Sequence, residues 1–266
     1  MEEFRATGYV MRKRPFGESD LIVTLLTVEQ GKRRSIAKGA RRSKKRFAGG
    51  ALEPFQELSL RLAKRENRGL DFLHESRVVR SNARVASNLL AFAWASYLTE
   101  ITDAMTVDDD PCPEIVLAYG ATLNRIVEDD PAPAAHHYLL QLLDHAGWAP
   151  DFGHCGICAE PVTAYARPVL DHRGSGIVCG AHEAERNGID ATDPTWRPSR
   201  RVIDEDLLTY IRTSREAVVE DASPECSILG SALLDRLLDL HLARPPKSRA
   251  FLAGLREPLP KVKGPT

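Results

Sequence analysis

The residues predict an α+β chain of more than one domain: a small five-stranded closed barrel over residues 1–80, then an all-α domain over 81–266 that carries a short insertion at about 151–185. Three observations lead there. Short runs of β-forming residues punctuated by Gly and Pro fill the first eighty positions, and apolar residues recur at helical spacing from Ala83 onward. Paired cysteines interrupt the helical pattern between His154 and His182. Charge is divided as well, with 19 Lys+Arg against 10 Asp+Glu in residues 1–80 and 17 against 27 in the remainder.

The strands follow in order. Phe4 to Arg14 mixes β-formers with basic residues, and Pro15-Phe16-Gly17 supplies a turn. Leu21 to Val28 is rich in Ile, Val, Thr and Leu, and Gln30-Gly31 ends it. A short run at Arg33 to Lys38 precedes Gly39 and a basic loop containing Gly49-Gly50. Pro54 to Lys64 alternates through Phe55, Leu58, Leu60 and Leu62, and Leu70 to Val79 closes the series. Five strands with one long loop suit a small barrel. The oligonucleotide-binding (OB) fold is the commonest five-stranded solution, although other small barrels also have five.

From Ala83 two apolar stripes, one through Val85, Leu89, Phe92 and Ile101 and one through Leu90, Trp94 and Leu98, predict a single core helix over 83–105. Asp108-Asp109-Asp110-Pro111 ends it. Further helices are expected over 113–127, 134–146, 203–219 and 226–242, with Pro245-Pro246 as a stop and a loose tail over Pro258 to Thr266. The acidic triplets at 108–110 and 128–130 read as solvated breaks rather than metal clusters, since acids before a helix N-terminus suit its dipole.

The formal charge of the 266 residues is −1, which alone argues against a nucleic-acid binder. Its distribution argues the opposite, because a half of net +9 cancels a half of net −10. Nine of the fifteen residues from Lys32 to Arg46 are basic (Lys32, Arg33, Arg34, Lys38, Arg41, Arg42, Lys44, Lys45, Arg46) and none is acidic. Such a run is either a solvated loop or a phosphate-binding surface, and cations without a single acid repel one another unless an anion joins them. No apolar run approaches the ~20 residues of a membrane span. The start Met1-Glu2-Glu3 lacks the basic and apolar regions of a secretory signal, so the cytoplasm is the expected location.

The most specific chemical signal is His154-Cys155-Gly156-Ile157-Cys158 followed by Cys179-Gly180-Ala181-His182. Cys-x2-Cys and Cys-x2-His knuckles suit tetrahedral Zn²⁺, with Cys155, Cys158, Cys179 and His182 as ligands and Gly156 and Gly180 relieving the tight backbone. His154 and His172 are alternatives for the fourth position. Four protein ligands leave no open coordination site, so one structural zinc per chain is expected. Cys112 and Cys226 stand apart and read as buried small hydrophobes. Catalytic constellations are missing: His182-Glu183 begins an HExxH, but Arg186 occupies the second histidine position, and Gly31-Lys32 lacks the rest of a phosphate loop. No catalytic residue is therefore assigned.

Gly17-Glu18-Ser19-Asp20-Leu21-Ile22-Val23, Gly31, Ala37-Lys38-Gly39-Ala40-Arg41-Arg42-Ser43-Lys44-Lys45-Arg46-Phe47 and Leu52-Glu53-Pro54-Phe55 together resemble the N-terminal signature of the bacterial recombination mediator RecO family. The likeness is dense over about 7–60, and the order of barrel, helices, knuckles and closing helices agrees beyond it. The resemblance implies an OB-fold barrel and a DNA-repair protein without enzymatic activity. It would bind single- and double-stranded DNA, anneal complementary strands and contact the C-terminal tail of single-strand-binding protein (SSB). With RecR it would help load RecA. The basic cluster would then hold phosphates, and about five contacts to a single strand would give a salt slope of roughly −3.5. Phe16 and Phe47, both beside basic residues, would be base-stacking platforms unless they pack in the barrel. A groove rimmed by Arg212, Arg215 or Arg236 would be a place for the SSB tail. A zinc protein acting on RNA or ribosomes, and a metal-dependent nuclease, are the competing classes.

Overall fold

The computed structural model describes residues 2–43, 45–48, 50–65, 69–128, 130–163, 167–171, 176–188 and 202–255. The chain forms two compact units, Met1–Pro131 with Pro246–Leu255, and Ala132–Pro245. The expected boundary at 80/81 is where the barrel strands end, whereas the first three helices belong to the same compact unit as the barrel.

In the first unit, β1 (Glu2–Phe16), β2 (Asp20–Thr27), β3 (Gly31–Ala37), β4 (Glu57–Lys64) and β5 (Asp71–Arg80) close in the order β1-β2-β3-β5-β4. This is the OB layout: all pairings are antiparallel except the short parallel contact of Ser35 and Ile36 with Asp71 and Phe72. The long β1 serves two neighbours, pairing with β4 from Glu2 to Gly8 and with β2 from Gly8 to Phe16. Gly8 is the corner. A Cβ there would lie 2.1 Å from the Leu26 carbonyl oxygen, so the close approach of strands admits glycine alone. Strand β4 starts at Glu57 rather than Pro54, because Phe55 takes a left-handed backbone (φ 68°).

Alternation puts Ala6, Val10, Val23, Leu25, Leu58, Leu60, Leu62 and Leu73 inside the barrel. The loop after β3 adds Phe47, Ala51 and Leu52 to this core. Beside the barrel lie α1 (Ala83–Ser87), α2 (Leu89–Met105) and α3 (Pro113–Arg125). The single helix expected over 83–105 is interrupted at Asn88, whose side chain accepts the Ala91 N–H at 3.0 Å and caps α2. Tyr9 on the outside of β1 meets Tyr119 of α3 edge-on at 5.1 Å, and Tyr119 shares a 2.6 Å hydrogen bond with Thr99. Burial pushes the Tyr9 phenol up to about 12. The chain returns to this unit with α8 (Lys247–Ala253), an element that the Pro245-Pro246 stop did not predict. Its first N–H groups meet Glu100 of α2, which accepts from Lys247 N, Ser248 N and Ser248 Oγ at 3.0, 2.9 and 2.7 Å.

The second unit packs α4 (Ala132–His145), α6 (Glu205–Glu216) and α7 (Pro224–His241) around fully buried His136, whose ring nitrogens each lie 2.7 Å from a hydroxyl, of Tyr210 and of Ser231. Between α4 and α6 the chain forms a hairpin of β6 (Val169–Asp171) and β7 (Gly176–Val178), then α5 (Gly180–Arg186). Arg186 pairs with the buried carboxylate of Asp171, fixing α5 to the hairpin. Residues 258–266 lie outside the described residues. Among the described residues no helix is long and apolar enough to cross a membrane.

Candidate nucleic-acid interface and metal centre

The nine clustered cations separate into two kinds. Arg34, Lys38, Arg41, Arg42, Lys45 and Arg46 are exposed, on the outer face of β3 and on the loop after it. That loop is held by backbone contacts, Arg41 N to Ser19 O at 3.0 Å and Gly39 N to the Asp20 carboxylate at 2.7 Å, and by Arg46, which donates to Lys38 O at 2.7 Å. Arg42 is only 3.5 Å from Glu18, and both side chains are largely in solvent, so that pair contributes little and leaves the guanidinium usable. Lys44 lies outside the described residues.

Lys32 and Arg33 do not join this surface, which corrects the expectation from sequence. Lys32 is buried and donates to the carbonyls of Asp103 and Thr106 at 2.7 and 2.6 Å, with the carboxylates of Asp103 and Asp108 at 3.6 and 3.7 Å. Arg33 is buried too, against Asp71 at 2.5 Å and against Asp109. The 108–110 triplet is therefore more than a solvated break. Asp109 N donates to Lys32 O at 2.9 Å, and a Cβ at Gly31 would lie 2.0 Å from the Asp110 carbonyl, so glycine lets the acidic loop lie on β3.

Phe16 is 52% exposed at the β1–β2 turn, whereas Phe47 is 8% exposed with its ring in the barrel core. Phe47 is thus a packing residue, not a platform, because the loop turns it with Ala51 and Leu52 into the barrel core. Sequence reasoning also missed Arg12 and Arg14. Both are exposed, and they line an open groove of about 370 Å³ of mixed charge, with Ile22, Thr24, Lys32, Arg34 and the acidic Asp103 and Asp108. Their signal was the alternation of Arg12, Lys13 and Arg14, which sends the arginines to one face and Lys13 to the other, where it pairs with Glu53 at 2.6 Å. Arg12 bonds Asp103 at 2.5 Å yet remains 70% exposed.

In the second unit, Cys155, Cys158, Cys179 and His182 converge, with their ligand atoms all within 4.8 Å of one another. Gly156 N donates to Ile177 O at 2.8 Å and pins the first knuckle to β7, while Cys179 caps α5 and places His182 in its first turn. The left-handed residue of the first knuckle is Ala159 (φ 58°), not Gly156, and Gly180 is not left-handed either. Cys155 Sγ lies 3.9 Å from Cys179 Sγ and 3.6 Å from His182 Nδ1. Ligands of a tetrahedral zinc would sit about 3.8 and 3.5 Å apart from Zn–S and Zn–N lengths, so these separations fit a metal. The Cys179–His182 separation of 2.9 Å is the tighter one. Burial raises the Cys155 thiol, but N–H groups of Cys158, Cys179 and Ile157 outweigh it and bring it down to about 6. Burial and the adjacent Cys155 charge push Cys179 up despite a hydrogen bond within its own turn. A shared cation would satisfy both thiolates. His154 turns instead to Asp151 at 2.8 Å, and His172 lies outside the described residues. Cys112 is buried and its thiol is raised to about 11, first by burial; Cys226 is half-buried.

Of the arginines expected to rim a tail-binding groove, Arg212 donates to the carbonyls of Phe152 and Val162 at 2.8 and 2.9 Å and Arg215 pairs with the Asp144 carboxylate; Arg236 is exposed.

Family models match both parts of the sequence: recombination protein O N terminal over residues 1–82 and recombination protein O C terminal over 86–250. The chain is 32% identical over 255 residues to the DNA repair protein RecO of Myxococcus xanthus, covering 95% of this chain and 98% of that one. It is 32% identical over 259 residues to the RecO of Geobacter metallireducens, with the same coverage, and 32% identical over 207 residues to that of Bifidobacterium adolescentis, covering 76% and 82%.

Proposed function

Since the chain belongs to the recombination protein O family of DNA repair proteins, we propose that it is a recombination mediator which binds single- and double-stranded DNA, anneals complementary strands and, with RecR, helps load RecA onto SSB-coated strands. The observation that carries this reading is the set of six exposed cations on β3 and the following loop. Annealing brings two polyanions together without reading sequence, and a basic surface that screens phosphate repulsion is the physical requirement. Arg34, Lys38, Arg41, Arg42, Lys45 and Arg46 supply that screening, with Lys44 as a further member of the run and Phe16 as an exposed stacking ring.

No step of this activity breaks a covalent bond, so the protein acts without catalysis. Cys155, Cys158, Cys179 and His182 would hold one zinc ion, which would supply structural cross-linking between the knuckle and α5. The protein works in the cytoplasm at the nucleoid, and the C-terminal tail of SSB is its recruiting contact.

The test is annealing of complementary strands pre-coated with SSB, without nucleotide. Acceleration over SSB-coated strands alone is the expected result; its absence, or Mg²⁺-dependent cleavage, refutes the reading. Charge reversal at Arg41, Arg42, Lys44 and Lys45 should abolish DNA binding and leave the metal in place.

A further inference from the structure

The four ligands of the candidate metal centre are divided unevenly between solvent and interior. Cys155 is buried and Cys179 half-buried, whereas Cys158 is exposed. All four ligand atoms lie within 4.8 Å of one another, and the Cys158 side chain hydrogen-bonds to that of Cys155. A reagent arriving from solvent therefore meets Cys158 first, with the Cys155 sulfur beside it.

The two halves of the centre also differ in what holds them apart from an ion. The first knuckle has a frame of its own: Cys155 N donates to Glu160 O at 2.9 Å, Ala159 N to Cys155 O at 2.9 Å and Val162 N to Gly153 O at 2.8 Å. Arg212 of α6 clamps both ends of that loop through the carbonyls of Phe152 and Val162. The second half, made of β6, β7 and α5, is tied internally by the Arg186–Asp171 pair. It reaches the first through Gly156 N to Ile177 O at 2.8 Å and Cys179 N to Cys155 Sγ at 3.4 Å. A shared ion adds the strong link between the halves.

Resting on the zinc reading above, we infer that Cys158 is a peroxide-reactive modification site, which makes the centre a reversible catch between knuckle and α5. The exposed Cys158 thiolate attacks the O–O bond of hydrogen peroxide, becomes the sulfenic acid and expels hydroxide. The Cys155 thiolate then attacks that sulfur, displaces a second hydroxide and closes a Cys155–Cys158 disulfide. Two thiolates have lost two electrons, and the peroxide has gained them. Zinc, left with Cys179 and His182 alone, departs as the hydrated ion. The first knuckle keeps its frame, because none of its hydrogen bonds runs through the metal, while β7 and α5 are let go. A phosphine reductant takes the disulfide back to two thiols, and zinc can rebind.

Hydrogen peroxide added to the zinc-loaded full chain tests this. A chromogenic chelator should read about one ion released per chain, and mass spectrometry should find the Cys155–Cys158 disulfide. Dimedone present during the reaction should label Cys158. Hydrogen exchange should quicken over β7 and α5 and stay slow at Cys155, Ala159 and Val162. C112S/C226S, which keeps all four ligands, should release zinc at the wild-type rate, and the remaining thiols of C158S should oxidise about tenfold more slowly. Zinc retained in excess peroxide, a disulfide that includes Cys179, or first labelling at Cys179 overturns the inference and leaves the proposed function standing. A chain without zinc before peroxide is added overturns the metal reading and the inference together, and the annealing assay still decides the DNA activity.

Discussion

Replacing Arg33 by Met should destabilise the barrel and leave the electrostatics of DNA binding intact, although Arg33 stands inside the basic run. The Arg33 and Asp71 side chains are 8% and 3% exposed and meet at 2.5 Å, with Asp109 as a second partner of the guanidinium. Among the described residues, R33M leaves the buried Asp71 carboxylate only the Arg65 N–H at 3.4 Å to receive. Breaking a buried pair from one side costs about 3–5 kcal/mol, which for a unit of this size lowers the melting temperature by roughly 10 °C. R33M/D71L removes both charges and should recover most of that loss. R41A/R42A should behave in the opposite way: stability within about 0.5 kcal/mol of wild type, and a single-strand salt slope flatter by about 1.4. Thermal denaturation followed by circular dichroism, with anisotropy titrations between 50 and about 200 mM salt, reads both quantities. An R33M protein that melts like wild type and shows a flattened slope would refute the division of the cluster into structural and ligand-facing cations.

Metal analysis of protein prepared without chelators should find about one zinc per chain, and C155S/C179S should lose it together with amide protection over β6, β7 and α5; wild-type metal near zero removes the site. Burial pushes the Glu100 carboxyl up, but hydrogen bonds from Ser248 and Lys247 prevail and hold it below the usual glutamate value. A depressed folded pKa stabilises fully above the unfolded value of about 4.3 and is lost as pH falls through the folded one. E100Q should therefore flatten the acid limb of the stability profile and speed hydrogen exchange at Lys247 and Ser248; unchanged exchange would count against the cap. A Cβ at Gly120 would stand 2.3 Å from the Tyr9 hydroxyl oxygen, so G120A should cost about 1–3 kcal/mol and G120A/Y9F distinctly less. Equal denaturation midpoints for the two would contradict that contact.

The barrel was legible because period-two alternation and turn residues are local signals; all five strands appear in their expected order, within a few residues at each end. The candidate metal centre was legible because ligand spacing itself encodes geometry, and Cys155, Cys158, Cys179 and His182 converge closely enough to bind a metal ion. The fate of Lys32 and Arg33 was not. Their partners Asp71, Asp103, Asp108 and Asp109 stand some 40 to 75 positions away, and a charge run carries no mark of long-range pairing. Phe47 looked like its exposed neighbours because loop residues follow no periodicity that says which side is in. Helix α8 was hidden for a related reason: Pro246 reads locally as a terminator, and only Glu100, distant in sequence, turns it into a start.

That last element sets the order in which the molecule can be finished. The ribosome releases the barrel and α2 early, but the segment that completes their unit, Pro246–Leu255, arrives after the whole of Ala132–Pro245 has been made. At ordinary elongation rates this interval is on the order of ten seconds. Throughout it Glu100 has no N–H groups to receive and the site that will bury Leu252 stays open. The nascent protein thus carries a barrel already closed by its own five strands beside an α2 still awaiting its last partner, and a chain halted before residue 246 would release the first unit without α8.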